Sequence, residues 1–113
     1  MNALNPGKSY RQIATQTAPP AQLVLMLFDG AIRFLNQALE GFRYDDPVEF
    51  NQTIHNNVTR TQDIIAELNV SLDMERGGDF AQTMRQLYDY FDRRLQESNM
   101  TKTDAGIHEV LKL

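Results

Sequence analysis

The chain has 113 residues, 42% of them hydrophobic, no cysteine, and 11 Lys+Arg against 15 Asp+Glu for a net charge of −4. That size is one domain, able to bury roughly two thirds of the surface its unfolded chain exposes, and the lack of cysteine excludes disulfides and thiolate metal sites and fits a reducing compartment. No apolar run approaches the roughly 18 residues of a membrane span, no basic-then-apolar leader opens the chain, and no basic run exceeds Arg93-Arg94, so a cytoplasmic protein is expected, without membrane insertion or nucleic-acid binding.

Residues 1–18 are polar, contain Asn5-Pro6-Gly7, and offer Leu4, Tyr10, Ile13 and Ala14 as anchors, which reads as a flexible arm. Tyr10, Ile13 and Ala14 have helical spacing, so a short turn is expected only where that face finds a surface to cover. From Pro19 to Phe42 the residues Val24, Leu27, Phe28, Ala31, Leu35, Ala38 and Phe42 recur at steps of three and four. A second line, Leu23, Met26, Phe34 and Leu39, widens the apolar arc, so the helix predicted from about 20 to 42 needs neighbours on more than one side.

A second helix is predicted from Asp46 as N-cap, with Pro47 at the first helical position and Glu49 as the reply of a capping box. Its stripe of Val48 or Phe50, Ile54, Val58, Thr61, Ile65, Leu68 and Leu72, with Ile64 beside it, carries it to about residue 72. Gly77-Gly78 breaks the chain, and Asp79 with Gln82 repeats the cap-and-reply pattern at the head of a third helix. Its core line is Phe80, Met84, Leu87, Phe91 and Leu95, flanked by Tyr88 and Tyr90, and its end is predicted near Ser98-Asn99. Thr103 or Asp104 then caps a last helix bearing Ile107, Val110 and Leu111, short for its companions. Connections of roughly four to eight residues favour antiparallel neighbours. The expected fold is therefore all-α: an antiparallel up-down helical bundle over residues 19–113, with three long helices and one shorter C-terminal helix, preceded by the mobile arm.

Catalytic and metal chemistry find little support. Glu-x-x-His pairs of a di-metal bundle are missing, since Gln52 precedes His55 and Ala105 precedes His108 at that offset. Gly7-Lys8-Ser9 lacks the earlier glycine of a phosphate loop, and a calcium loop counted from Asp73 places Met84 where a bidentate glutamate is needed. The serines have no nearby histidine. Neither an enzyme nor a metal or cofactor site is expected.

Gln22-Leu23-Val24 followed by Met26-Leu27-Phe28-Asp29-Gly30-Ala31-Ile32 resembles the first-helix signature of the flagellin-specific export chaperones, the FliS family. Ile64-Ile65-Ala66-Glu67-Leu68 with Ser71-Leu72-Asp73, then Gly77-Gly78, and then Leu87-Tyr88-Asp89-Tyr90 with Arg94-Leu95 agree with it in order and spacing. Tyr10 falls where the family carries an N-terminal tyrosine, and Asn99, Asp104 and Glu109-Val110 suit its last helix, so the resemblance covers nearly the whole chain. Phe28 departs from it, standing where the family often has tyrosine. The chain also stops at Leu113, where family members usually carry the last helix further and often end near a tryptophan, which leaves the completeness of that helix open.

The resemblance implies an antiparallel bundle that binds the disordered C-terminal segment of newly made flagellin in the cytoplasm, preventing premature polymerisation while keeping it competent for export. It also allows contacts with the flagellar export gate and the flagellar anti-sigma factor. A client segment laid into grooves between helices would bury its apolar stripe there. The candidate partner-binding residues are Ile54, Ile64, Leu68 and Leu72 on helix two, Tyr88 and Tyr90 on helix three, Tyr10 and Ile13 in the arm, and Asn57 and Arg60 as polar contacts; Gln62 is a further polar candidate. For each aliphatic residue the ordinary alternative is a place in the core, and for each polar one a solvated face. The arm is expected to cover part of the groove when it is empty, so that deleting residues 1–18 raises the client on-rate. A different class of reading is an adaptor that uses its apolar face for homodimerisation.

Overall fold

The computed structural model describes residues 20–113, and the segment expected as an arm, with Tyr10 and Ile13, lies outside them. Helix α1 spans Pro20–Gly41, with proline in the first turn, where its missing N–H removes no helical bond. At its far end an ideal Cβ on Gly41 would lie 2.9 Å from Thr53 Cγ2, so only glycine lets the chain pass this close to the next helix. Helix α2 spans Pro47–Val70 and starts as predicted: Asp46 is extended, and its carboxylate accepts the Val48 N–H at 3.1 Å. The Glu49 reply is not made among the described residues. Glu49 instead sits in the first turn, where its charge complements the helix dipole.

Helix α3 spans Gly78–Thr101, and here two expectations are corrected. Asp79 is not the cap. Gly78 takes φ +54°, the left-handed region, and brings the backbone into the helix earlier, leaving Asp79 in the first turn. The loop before it is organised by Asp73, whose carboxylate accepts the N–H groups of Glu75 at 3.1 Å and Arg76 at 2.9 Å. At the other end the helix runs past Ser98-Asn99 and closes on Lys102 in the left-handed conformation, with Thr103 N–H bonded to Ser98 O at 3.2 Å. Helix α4 spans Ala105–Lys112; Asp104 precedes it without a side-chain capping bond and reaches His108 Nε2 at 3.3 Å instead.

Among the described residues the fold is all-α, and successive helices pack antiparallel. Phe42 meets Phe50 edge to face at 5.5 Å, and Arg60 lies 5.8 Å over the Phe34 ring, so α1 descends as α2 rises. The α2–α3 seam is marked by a polar ladder whose α2 members stand seven residues apart. His55 meets Asn99, Gln62 meets Gln96, and Asn69 meets Asp89. On the α3–α4 seam an ideal Cβ at Gly106 would fall 2.6 Å from Arg94 O and 2.5 Å from Ser98 Oγ, so glycine sets the close approach.

Helix α2 is thus the middle element. Helices α1 and α3 flank it without packing directly on each other, and α4 lies on α3 and touches α1. The core is Leu27, Leu35 and Ala38 of α1, Ile54, Val58, Ile64, Ile65 and Leu68 of α2, Tyr88, Phe91 and Leu95 of α3, and Ile107 and Val110 of α4. The predicted core line of α3 is rotated in consequence: Phe80 is 63% exposed and Ala81 takes the buried place, while Met84 and Leu87 are only partly covered. With no α1 against it, that side of α3 has nothing to bury against.

Candidate functional site

The gap between α1 and α3 is an apolar groove. Its larger half, about 410 Å³, is walled by Phe28, Ala31, Ile32 and Leu35 from α1 and by Met84, Leu87, Tyr88 and Phe91 from α3. Thr61, Ile65 and Leu68 of α2 form the floor, and the stretch Val110 to Leu113 closes the end. The other half, about 340 Å³, continues towards the start of α1 between Val24, Leu72, Phe80 and Ala81, and ends at Ser71, Asp73 and Gly77. Phe28, Leu68, Met84 and Tyr88 line both halves, which makes them one trough.

The described helices that border it differ in length. With 22 and 24 residues, α1 and α3 are about 33 and 36 Å long, whereas the eight residues of α4 cover only about 12 Å. Within the described residues α4 lies against one end of the apolar trough.

Side chains along the trough are overwhelmingly apolar, with one charge at each end, Asp73 and Lys112. The polar groups in its floor are already engaged: Thr61 Oγ1 donates to Asn57 O at 2.9 Å, and Ser71 Oγ to Leu68 O at 2.7 Å. Nothing in such a surface performs acid–base or nucleophilic chemistry. Among the described residues no group of three or more His, Cys, Asp or Glu could hold a metal ion, and no helix is long and apolar enough to cross a membrane.

The end wall is fastened by a buttress on the outside of α4. Glu109 Oε1 accepts from Arg94 Nε at 2.6 Å and from the Tyr90 hydroxyl at 2.7 Å, and Arg94 also pairs with Glu97. The Arg94 guanidinium, seconded by the Tyr90 hydroxyl, holds the Glu109 carboxyl below the ordinary carboxylate range. The hydrogen bond to Glu109 in turn raises the Tyr90 phenol.

The residues singled out from sequence separate into four groups. Leu68, Leu72 and Tyr88 line the trough. Ile54 and Ile64 have no exposed surface and line neither half, because neighbouring helices cover them completely. Asn57 is buried, with Nδ2 donating to Thr53 O at 2.8 Å and Oδ1 without a partner; Arg60 lies over Phe34; Gln62 belongs to the α2–α3 ladder; and Tyr90 belongs to the buttress. Tyr10 and Ile13 are outside the described residues. Sequence reasoning passed over Phe28, Ile65, Met84, Leu87 and the end of α4, because it assigned the main apolar stripes to the core and looked for a groove beside them.

Comparison with known proteins gives a consistent result. The family model described as "Flagellar protein FliS" matches residues 3–113. The flagellar secretion chaperone FliS of Bacillus subtilis (strain 168) is 36% identical over 103 residues, covering 91% of this chain and 72% of that protein. FliS of Salmonella typhimurium is 35% identical over 108 residues, covering 91% and 77%. Flagellar secretion chaperone FliSB of Pseudomonas aeruginosa is 30% identical over 117 residues, covering 100% and 90%.

Proposed function

The chain belongs to the FliS family, and from that premise we propose that it is a cytoplasmic flagellar secretion chaperone whose α1–α3 groove holds the disordered C-terminal segment of newly made flagellin as an amphipathic helix. The observation that carries this reading is the open apolar trough joined through Phe28, Leu68, Met84 and Tyr88. A segment that folds on binding loses about 2–5 kcal/mol to ordering, so its stripe needs a long apolar surface. A trough running much of the length of α1 meets that need, whereas a single pocket would not. With its stripe buried here, the segment is withheld from other flagellin subunits. Tyr10 and Ile13 of segment 1–18, one helical turn apart in sequence, are in this reading the cover of the empty groove.

A polymerisation assay tests the proposal. Monomeric flagellin seeded with filament fragments should stop elongating, by light scattering, when this protein is present in equimolar amount. It should elongate normally with the Leu87→Glu variant, which sets a charge on the groove wall. Undiminished elongation with the unaltered protein would overturn the reading, and tight self-association through the groove would replace it with the adaptor role.

A further inference from the structure

Tyr88 is 4% exposed, stands where the two halves of the trough meet, and has a hydroxyl with no hydrogen bond among the described residues. Buried tyrosines ordinarily find a partner for the phenol, and a site that needed only packing is served as well by phenylalanine. The comparison within this helix is direct, since Tyr90, two residues on, commits its hydroxyl to Glu109 at 2.7 Å. Nor do the other polar lining groups offer Tyr88 a partner. Thr61 and Ser71 donate to main-chain carbonyls, and Asp73 accepts from its own loop. The phenol is thus a polar group in an apolar wall, without a protein partner among the described residues and accessible from the groove. Like any tyrosine it is a proton donor at neutral pH, and burial raises its pKa further.

Resting on the reading that a client helix fills this groove, we propose that the Tyr88 hydroxyl fixes the client's register by hydrogen-bonding one neutral polar side chain, Asn, Gln, Ser or Thr, that interrupts the client's apolar stripe. Interior main-chain groups of a helix are already bonded to one another, so a side chain must supply the partner. A charged partner is disfavoured, because burying it in a trough of this composition is far more costly than burying an amide or hydroxyl. Apolar contacts tolerate a slide along the groove. A shift of one helical turn, about 5.4 Å, breaks the hydrogen bond and leaves two polar groups buried without partners. The trough supplies attraction, and the hydroxyl supplies selection between registers.

The test is titration calorimetry of the full chain with monomeric flagellin. Tyr88→Phe keeps the ring in place and is expected to weaken binding about fivefold to tenfold, the worth of one neutral hydrogen bond. Replacing the Asn, Gln, Ser and Thr residues of flagellin's C-terminal segment by Ala, one at a time, should reveal one whose effect disappears in the Y88F background. Leu87→Glu serves as the comparison that blocks the groove as a whole. Unchanged affinity for Y88F together with loss of binding for Leu87→Glu overturns the role of the hydroxyl and leaves the groove reading standing. Unchanged affinity for both overturns the two together. A loss in Y88F that couples to no client residue also overturns the proposal, since it would then be a packing effect.

Discussion

Glu109 shows how a single side chain outside the groove governs the groove. Its carboxylate is held by Arg94 and Tyr90, and the helix that bears it supplies Val110 and Leu111 to the end wall. The folded-state pKa lies below the unfolded one, so the buttress stabilises fully above the ordinary glutamate value of about 4.3 and is lost as pH falls through the depressed value. Tyr90 has the opposite sign: its raised pKa keeps the contact intact below about 10 and releases it only as pH climbs through the folded value. Both ends of the salt bridge are partly exposed, at 26% and 39%, so the effect is modest. Thermal melts of the wild type and Glu109→Gln should differ at neutral pH and converge as pH falls below the ordinary glutamate value and through the depressed one. A constant difference across that range would mean that Glu109 acts through packing alone.

At the scale of elements, local chemistry was readable where it acts locally. Asp46-Pro47 marks the start of α2 because an N-cap carboxylate and a proline without an N–H do their work within three residues. The start of α3 was misread by the same logic, since Asp79 looks like a cap until Gly78 enters the helix ahead of it at positive φ. The exchange of Phe80 for Ala81 in the core, and the lining of the groove, were not readable in periodicity. Both depend on α1 and α3 standing apart, which is a matter of tertiary packing. What sequence did hold was the last helix with Ile107, Val110 and Leu111, and the stretch from Val110 closes one end of the trough. That helix is seated by Gly106, so Gly106→Ala should push α4 off α3 against the Arg94 carbonyl and cost about 1–3 kcal/mol, as overpacking does. Hydrogen exchange should then show lost protection in α4 before the rest, with weaker client binding. Unaltered α4 protection would show that the seam yields without moving the wall.

Taken as a whole molecule, the described chain is a run of antiparallel helix pairs in which each helix packs on the next, and only the contact of α4 with α1 joins elements distant in sequence. Such local topology favours rapid folding. Among the described residues the trough between α1 and α3 is open, in a chain with a net charge of −4. The central claim, that this groove receives flagellin's C-terminal segment, is tested most directly by titration calorimetry with circular dichroism against intact flagellin and flagellin lacking that segment. The account predicts that the intact monomer binds with a negative heat-capacity change and a gain in helix, and that the truncated one does not bind. Equal binding of both, or binding of the intact monomer without helix formation, would contradict it.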